Sequence, residues 1–257
     1  MQTDPRLTAF ARLLEIMDEL RAKCPWDMKQ TMETLRPLTI EEMYELADAI
    51  LKNDMQEVKK ELGDVMLHLV FYAKIGSEKG DFDITDVLNS ICDKLISRHP
   101  HIYGDVEVSG EEEVKQNWEK LKLKEGKNSV LEGVPVSLPA MVKATRIQEK
   151  ARGVGFDWDN KDQVFAKVQE ELEELRVEVV AADAVKIEEE FGDLLFSMIN
   201  YARFLDVSPE NALERTNQKF IQRFQYLENK ASTLGKSLAD MTLSEMDVFW
   251  NEAKGLK

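Results

Sequence analysis

Residues 41–46 read Glu-Glu-Met-Tyr-Glu-Leu, and residues 61–64 read Glu-Leu-Gly-Asp. The same acidic pattern returns 129 residues later, as Glu-Glu-Leu-Glu-Glu-Leu at 170–175 and Glu-Phe-Gly-Asp at 190–193. An internal repeat of this length is typical of a chain built from two related structural units. These four motifs therefore guide both the prediction of the fold and the search for a functional site.

The repeat extends beyond the acidic motifs. Segments 41–74 and 170–203 align without a gap, and 10 of their 34 residue pairs are identical, where average residue usage would give about two or three. Two unrelated acidic helices would explain matched glutamates, but not the matched Gly63 and Gly192 or the Tyr-Ala pair near the end of each segment. We therefore interpret the two segments as copies of one unit.

Apolar residues recur at steps of three and four along most of the chain, for example at Phe220, Phe224 and Leu227. This spacing is the period of an α-helix, and the alternating runs typical of strands are scarce. The sequence therefore predicts an all-α fold, a tandem repeat of two helical-bundle domains. The predicted helices lie near 5–22, 32–52, 54–78, 83–98, 110–125, 138–151, 161–181, 183–205, 209–233 and 242–254.

The clearest break in this helical pattern lies near the middle of the chain. Residues 126–135 contain two glycines and a proline and show no helical period, which is typical of a connection between domains. We therefore predict an N-terminal helical domain over 1–125, a linker over 126–137 and a C-terminal helical domain over 138–257.

The composition restricts the partners and the location of the protein. Its 257 residues include 34 Lys and Arg against 49 Asp and Glu, a formal net charge of −15, which argues against a nucleic-acid or membrane partner because Lys and Arg hold phosphates. The longest apolar stretch, 65–73, is too short to span a bilayer. The N-terminal residues do not resemble a signal peptide, and Cys24 and Cys92 lack metal-site spacing. We therefore expect a cytoplasmic protein.

The acidic residues of each copy are spaced to meet in a helical hairpin. Residues three apart share one helix face, so Glu42 and Glu45 point the same way, as do Glu61 and Asp64. Counted from a turn at Asn53, the inner pair of acids lies eight residues away on each side and the outer pair eleven. In an antiparallel hairpin the four carboxylates would meet at one level, roughly 12–16 Å from the turn. The second copy repeats this arrangement about Ala182, with Glu171, Glu174, Glu190 and Asp193.

Four facing carboxylates without a matching base are unfavourable, because like charges repel and raise one another's pKa. Divalent cations that prefer oxygen ligands remove this cost, and an all-carboxylate set suits Mg²⁺ or Mn²⁺ rather than Zn²⁺. The acids of both copies adjoin apolar residues that are expected in the core, which favours a metal site over a solvated acidic face. We therefore predict a Mg²⁺ site in each copy, with Mn²⁺ as the alternative ion.

Further residues in the motifs bear on this site. Gly63 and Gly192 stand inside helices, where glycine costs about 1 kcal/mol relative to alanine, so we expect another helix or a ligand to approach closely there. A di-iron site would need Glu-x-x-His pairs, and the nearby His68 is replaced by Ser197 in the second copy. We therefore expect His68 to be a hydrogen-bonded neighbour of the first site rather than a ligand.

The tandem acidic signature occurs together with Cys-Pro-Trp-Asp at 24–27, Arg-His-Pro-His at 98–101 and Val-Gly-Phe-Asp-Trp at 154–158. In this combination the chain resembles the MazG family of nucleoside triphosphate pyrophosphohydrolases over nearly its whole length. The acidic signature alone would be shared with all-α relatives of the dUTPase and dCTPase type. The resemblance implies an all-α NTP pyrophosphatase fold, hydrolysis of ribo- or deoxyribonucleoside triphosphates to the monophosphate and pyrophosphate with Mg²⁺, and a homodimer.

The resemblance also implies roles for individual residues. The family's metal ligands fall on Glu42, Glu45, Glu61 and Asp64 in the first copy and on Glu171, Glu174, Glu190 and Asp193 in the second, which it favours as the catalytic set. Its nucleotide-contacting positions fall on Lys167, Val168, Gln169, Glu170 and Glu171, on Lys186, Ile187, Glu188 and Glu189, on Lys219, Phe220, Ile221, Gln222 and Arg223, and on Trp250. Lys219 and Arg223 share one helix face and would meet a triphosphate, and Trp250 would stack on a base.

The implied mechanism is attack of a metal-activated water on the α-phosphorus, with Glu170 or Glu189 as the proton acceptor. The first copy keeps a basic pair, Lys94 and Arg98, so the sequence leaves open whether one or both copies are catalytic. Two other functions stay open as well. One is a nucleotide-sensing or dimerisation module that binds without turnover, and the other is a narrow dUTPase- or dCTPase-like enzyme.

Overall fold

The computed structural model describes residues 4–110, 113–114, 117–118 and 129–255. The chain divides into two compact units, Met1–Ser109 and Gly110–Lys257. Within the described residues the secondary structure is helical and contains no strand. The predicted all-α fold class is therefore confirmed.

The helices lie where the apolar period predicts them, to within two residues at each end, except over 110–125, most of which is outside the described residues. The first unit contains α1 (Pro5–Lys23), a 3-10 turn (Asp27–Lys29), α2 (Met32–Lys52), α3 (Met55–Lys79), α4 (Ile84–Arg98) and α5 (Pro100–Tyr103). The second unit contains α6 (Ala140–Arg152), α7 (Lys161–Ala181), α8 (Ala184–Phe204), α9 (Pro209–Thr233), a 3-10 turn (Leu238–Asp240) and α10 (Leu243–Gly255). The sequence missed α5, because a single turn is too short to show a period.

Each unit is built around a helical hairpin, α2 with α3 and α7 with α8. The hairpin turns lie at the predicted positions, where Asn53 (φ 55°) and Ala182 (φ 57°) adopt the left-handed conformation. The next residue caps the second helix in each case: Asp54 accepts hydrogen bonds from the backbone of Gln56 and Glu57, and Asp183 does the same at Val185 and Lys186. Side-chain capping of this kind satisfies otherwise unpaired N–H groups. The spacing from the turn to the acidic residues is therefore the same in both hairpins.

Apolar packing holds the first hairpin against α1. Met17 of α1, Leu35 of α2 and Phe71 of α3 are each at most 2% exposed and belong to one core cluster. In the second unit, Val164 of α7 and Leu227 of α9 are buried in the same way. Among the described helices, none is both long enough and apolar enough to span a membrane.

We expected another helix or a ligand to approach closely at Gly63 and Gly192, and in the described part of each unit no other helix does so. A Cβ atom built at either glycine would meet no described atom within 4 Å outside its own helix turn. The packed faces of α3 and α8 therefore lie elsewhere on these helices. The glycines lower helix stability without a compensating close contact inside the unit.

The turn at Ala182 yields a stability prediction. An L-residue pays about 1–2 kcal/mol in the left-handed conformation, and glycine does not. Ala182→Gly should therefore raise the free energy of unfolding by about 1 kcal/mol, measured by urea denaturation followed by circular dichroism. As the matched control, Ala181→Gly at the last residue of α7 should lower it by up to about 1 kcal/mol. A loss of stability in Ala182→Gly would contradict the assigned turn.

Candidate metal centre

The same three glutamates come together in each hairpin. One carboxylate oxygen from each member of a group lies within 4.8 Å of the others. Two of the three come from the first helix of the hairpin and one from the second, as the symmetric spacing about the turn predicts. The groups are Glu42, Glu45 and Glu61 in the first unit and Glu171, Glu174 and Glu190 in the second.

Asp64 and Asp193, the fourth members of the predicted sets, fall outside these groups. Helix spacing alone does not explain this, because Glu42 and Glu45 are also three residues apart and both belong to the first group. Asp64 is still close enough to act electrostatically, because its negative charge helps to raise the pKa of Glu42. The structure thus gives three clustered carboxylates, with the aspartate of the first unit at their margin.

Burial makes these carboxylates unusual. Glu61 is only 1% exposed, and its Oε1 accepts a hydrogen bond from Lys60 Nζ at 2.8 Å. Its Oε2 is buried and has no hydrogen-bond partner in the part of the chain that the structure describes. In the second unit Glu171 is 6% exposed and pairs with Lys167 Nζ at 2.7 Å. A buried carboxylate oxygen without a donor costs free energy. A cation at the cluster would remove that cost.

The electrostatics of the clusters agree with their geometry. Burial raises the pKa of Glu42, and the charges of Asp64 and Glu45 raise it further. Desolvation also raises the pKa of Glu174, as does the adjacent Glu171. For both Glu42 and Glu174 the surroundings disfavour the ionised form, and a nearby cation would counteract this effect.

The donor set fits a hard divalent cation. Each group offers carboxylate oxygens only, which is the ligand chemistry of Mg²⁺ and Mn²⁺. The orphaned Oε2 of Glu61 is the kind of atom that a bound ion would satisfy. The residues therefore fit the metal that the acidic motifs predict.

His68 takes no part in either group. Its side chain is 7% exposed, and its Nδ1 has no hydrogen-bond partner among the described residues, so the expected hydrogen bond is not found at that atom. Burial lowers the pKa of His68, against the opposing effect of Asp64. The buried imidazole therefore takes up a proton less readily than an exposed histidine does.

The predicted nucleotide-contacting positions lie on four helices of the second unit. They occupy α7 (167–171), the first turns of α8 (186–189), the middle of α9 (219–223) and α10 (Trp250). Trp250 packs on Phe220, with ring centroids 5.0 Å apart, and the guanidinium of Arg223 lies 5.9 Å from the Trp250 ring. Among the residues that the structure describes, neither Lys219 nor Arg223 forms an ion pair. The guanidinium of Arg223 on α9 thus lies beside the aromatic ring of Trp250 on α10.

Sequence reasoning missed one residue that contacts the clusters. Lys60 bridges Glu57 and Glu61, and these two carboxylates raise its pKa. Lys167, which the sequence did single out, bridges Glu170 and Glu171 in the second unit. The two lysines occupy different helices, so the repeat alignment does not reveal their common role. The only signal for Lys60 in the sequence was that it directly precedes Glu61 of the acidic motif.

Two hairpins that each gather three glutamates define a helical protein with a tandem pair of carboxylate clusters, each a candidate metal centre. The family model that matches this chain is the MazG nucleotide pyrophosphohydrolase domain, over residues 30–103 and 160–227. Both matched ranges contain a complete hairpin with its glutamates.

Relatives that align over nearly the whole of this chain are consistent with this match. The nucleoside triphosphate pyrophosphohydrolase/pyrophosphatase MazG of Thermotoga maritima is 44% identical over 96% of each chain. The nucleoside triphosphate pyrophosphohydrolase of Escherichia coli K12 is 41% identical over 95% of this chain and 96% of its own. The uncharacterized protein YabN of Bacillus subtilis is 45% identical over 95% of this chain and 51% of its own. The chain belongs to the MazG family.

Charge repulsion in the clusters predicts opposite effects of one substitution with and without metal. Glu42→Gln should raise the melting temperature of the metal-free protein at pH 7, because it removes a carboxylate whose pKa is raised on folding. In the wild-type, the carboxyl group of Glu42 binds its proton more tightly in the folded state than in the unfolded chain, so its ionisation destabilises the folded state. The stability advantage of Glu42→Gln should therefore vanish as the pH falls through the raised pKa of Glu42.

Excess Mg²⁺ should reverse the order, since only the wild-type keeps all three ligands. Differential scanning calorimetry in EDTA and in Mg²⁺ measures both effects. Glu41→Gln, which changes the same charge on a residue outside the cluster, is the matched control. Equal stabilisation of wild-type and Glu42→Gln by Mg²⁺ would contradict a metal site at this cluster.

Proposed function

We propose that this protein is a nucleoside triphosphate pyrophosphohydrolase, which converts ribo- or deoxyribonucleoside triphosphates to the monophosphate and pyrophosphate. The observation that carries the proposal is the matched cluster of three glutamates in each hairpin. Membership of the MazG family and the names of two relatives that align over at least 95% of both chains support the same activity.

In this proposal Glu171, Glu174, Glu190 and Asp193 hold Mg²⁺, or Mn²⁺ in its place. When bound, the divalent cations neutralise charge on the triphosphate and lower the pKa of a water that attacks the α-phosphorus. Of the three clustered glutamates, Glu171 is buried, Glu190 is half-buried and Glu174 is exposed. The burial of Glu171 strengthens its attraction for a cation.

The cations of α9 act on the remaining phosphate charge. Lys219 and Arg223 lie one helical turn apart and are free of ion pairs in the described part of the chain, so their charge is available to an anion. Trp250 lies beside Arg223, and its ring offers a face for a nucleobase. These residues would bind and orient the nucleotide, while the glutamates serve the metal.

A carboxylate must accept the proton of the attacking water. As the bond from the water oxygen to the α-phosphorus forms, the bond from that phosphorus to the leaving pyrophosphate breaks, and the water proton passes to the base. Glu170 is paired with Lys167 at 2.8 Å, whereas Glu189 has no ion pair among the described residues. We therefore assign the proton acceptor to Glu189, beside the metal ligand Glu190.

This assignment also favours the second repeat as the catalytic one. The residue aligned with Glu189 in the first repeat is Lys60, which cannot accept the proton when charged and instead pairs with the buried Glu61. The first cluster would then bind a cation without supplying a base. It retains the ligands but has lost the acceptor.

A homodimer is part of the proposal, and it rests on a repeated apolar stripe. Leu62, Met66 and Leu69 on α3, and the aligned Phe191, Leu195 and Met198 on α8, are each between 42% and 52% exposed. Their spacing of four and three places each set on one helix face. Apolar side chains exposed together on one helix face are a candidate interaction surface, and a second copy of the chain is the partner that we assign.

Dimerisation through the stripe can be tested by sedimentation velocity. The wild-type should sediment at twice the mass of one chain, and Leu195→Lys should shift it toward the monomer because a charge is costly in an apolar interface. Val185→Lys, an equal charge change on an exposed residue of α8 outside the stripe, should leave the dimer intact. A wild-type monomer, or a stable Leu195→Lys dimer, would contradict the assigned interface.

The activity is tested with a panel of ribo- and deoxyribonucleoside triphosphates and Mg²⁺, with pyrophosphate and orthophosphate measured separately. Pyrophosphate should be released, and Glu171→Gln should lower kcat on the order of 100-fold or more, since even residues that only support a metal ligand are worth 10–100-fold. Glu42→Gln, the aligned substitution in the first repeat, should have a much smaller effect. Glu189→Gln should lower kcat more than Glu170→Gln.

Other outcomes of the same assay separate the alternatives. Nucleotide binding without pyrophosphate release would overturn turnover and favour a sensing module. Consumption of dUTP or dCTP alone would replace the broad activity by a narrow one. A larger effect of Glu42→Gln than of Glu171→Gln would move the catalytic centre to the first repeat.

A further inference from the structure

One lysine of the first unit contacts both the glutamate cluster and a carboxylate outside it. Lys60 Nζ lies 2.8 Å from Oε1 of the cluster member Glu61 and 2.9 Å from Oε1 of Glu57. Glu57 does not belong to the cluster. Its side chain is 50% exposed, whereas that of Glu61 is 2% exposed. The ammonium group therefore bridges a buried carboxylate of the cluster and a carboxylate in contact with water.

The second unit contains a bridge of the same kind. Lys167 Nζ lies 2.7 Å from Oε1 of the cluster member Glu171 and 2.8 Å from Oε1 of Glu170. Glu170 lies outside the cluster, and its side chain is exposed, whereas that of Glu171 is buried. Both clusters thus have one ammonium group hydrogen-bonded to a buried member.

The two lysines do not correspond in the internal repeat. With the shift of 129 residues, Lys60 aligns with Glu189 and Lys167 aligns with Leu38. Lys60 lies on α3, the second helix of its hairpin, and Lys167 lies on α7, the first helix of its hairpin. The two copies therefore supply the ammonium group from different helices. What the copies share is the positive charge at a buried glutamate, not the position in the motif.

The ammonium group compensates the cluster only in part. Three ionised glutamates and one lysine leave two negative charges, which is the charge that one divalent cation neutralises. In the first unit, Oε2 of Glu61 stays buried without a hydrogen-bond partner in the described part of the chain. One lysine thus reduces the repulsion within the cluster but still leaves it attractive to a divalent cation.

Both lysines can leave the cluster without disturbing the core. The side chain of Lys60 is 60% exposed and that of Lys167 is 35% exposed, and a lysine stem is flexible. Hydrogen bonds to the two carboxylate partners raise the pKa of each lysine, so each remains a cation. An ammonium group and a divalent cation repel each other when both approach the same carboxylate. Each lysine keeps its exposed partner when it withdraws from the buried one.

We propose that Lys60 and Lys167 are built-in counter-ions that compete with the divalent cation for the two clusters. Each lysine withdraws from its buried glutamate onto its exposed partner as the cation binds. The competition weakens metal binding, and the same contact stabilises the metal-free protein. This inference rests on the proposed metal centres and adds that metal binding there is the exchange of one cation for another.

Titration with Mn²⁺ tests the competition in the full-length protein without nucleotide, with the free ion measured by electron paramagnetic resonance. Each cluster is measured alone by removing a ligand of the other one. Lys60→Met is therefore made in a Glu171→Gln background, and Lys167→Met in a Glu42→Gln background. Each lysine variant should bind Mn²⁺ at least about fivefold more tightly than its background, because a competing positive charge is removed.

The same substitutions should have the opposite effect on stability. In EDTA, Lys60→Met and Lys167→Met should each lower the melting temperature, since a buried carboxylate loses its partner. Lys59→Met on α3 and Lys161→Met on α7 are the matched controls, because they remove the same charge from exposed lysines that form no ion pair in the described part of the chain. The controls should change the Mn²⁺ affinity by less than about twofold and leave the melting temperature near that of the wild-type.

The outcomes separate this inference from the metal centres on which it rests. Mn²⁺ binding that is unchanged or weaker in the two lysine variants would overturn the competition and leave the metal centres in place. Equal tightening in Lys59→Met and Lys161→Met would also overturn it, because the effect would then come from the overall charge. An unchanged melting temperature of both lysine variants in EDTA would contradict the role as counter-ions. No Mn²⁺ binding in either background would remove the metal centres and this inference together.

Discussion

Repulsion between the three clustered glutamates of each hairpin is the constraint on which the rest of the structure depends. One carboxylate oxygen from each glutamate lies within 4.8 Å of the others, a distance at which like charges raise one another's pKa. The left-handed turns at Asn53 and Ala182 hold the two helices in the register that enforces this contact. Folding brings these negative charges together, so a compensating positive charge is needed. Lys60 and Lys167 supply part of it. A divalent cation would supply the rest.

The two repeats use this common frame differently. The first has a packed aromatic core around Phe71 and pairs its buried Glu61 with an adjacent lysine. The second has a carboxylate, Glu189, at the position of that lysine. In our proposal this difference makes the second copy the catalytic one. The negative charge of the chain excludes long polyanions, yet it is compatible with a small anion that arrives with its own cation.

Much of the fold and of the glutamate clusters could be predicted from the sequence, because both follow from the spacing of residues along the chain. The helical period gives the elements, and equal spacing about Asn53 brings Glu42, Glu45 and Glu61 together. The offset of Asp64 and the role of Lys60 could not be predicted, because they depend on side-chain positions within fractions of a turn. The cavity of about 670 Å³ between α6, α8 and residues 154–158 could not be predicted either, because it depends on how closely these elements pack. The positions of Gly63 and Gly192 inside helices suggested close approach by another helix or a ligand, and no other described helix of either unit lies there.

The most direct measurement is anomalous diffraction from crystals grown with Mn²⁺. We expect a Mn²⁺ peak bound by Glu171, Glu174 and Glu190 in the second hairpin, and a second peak at Glu42, Glu45 and Glu61 in the first. Lys60 and Lys167 should turn away from the buried carboxylates as the ions bind. Well-ordered clusters without any anomalous peak at saturating Mn²⁺, or peaks only at other residues, would contradict the central claim that these hairpins are metal centres.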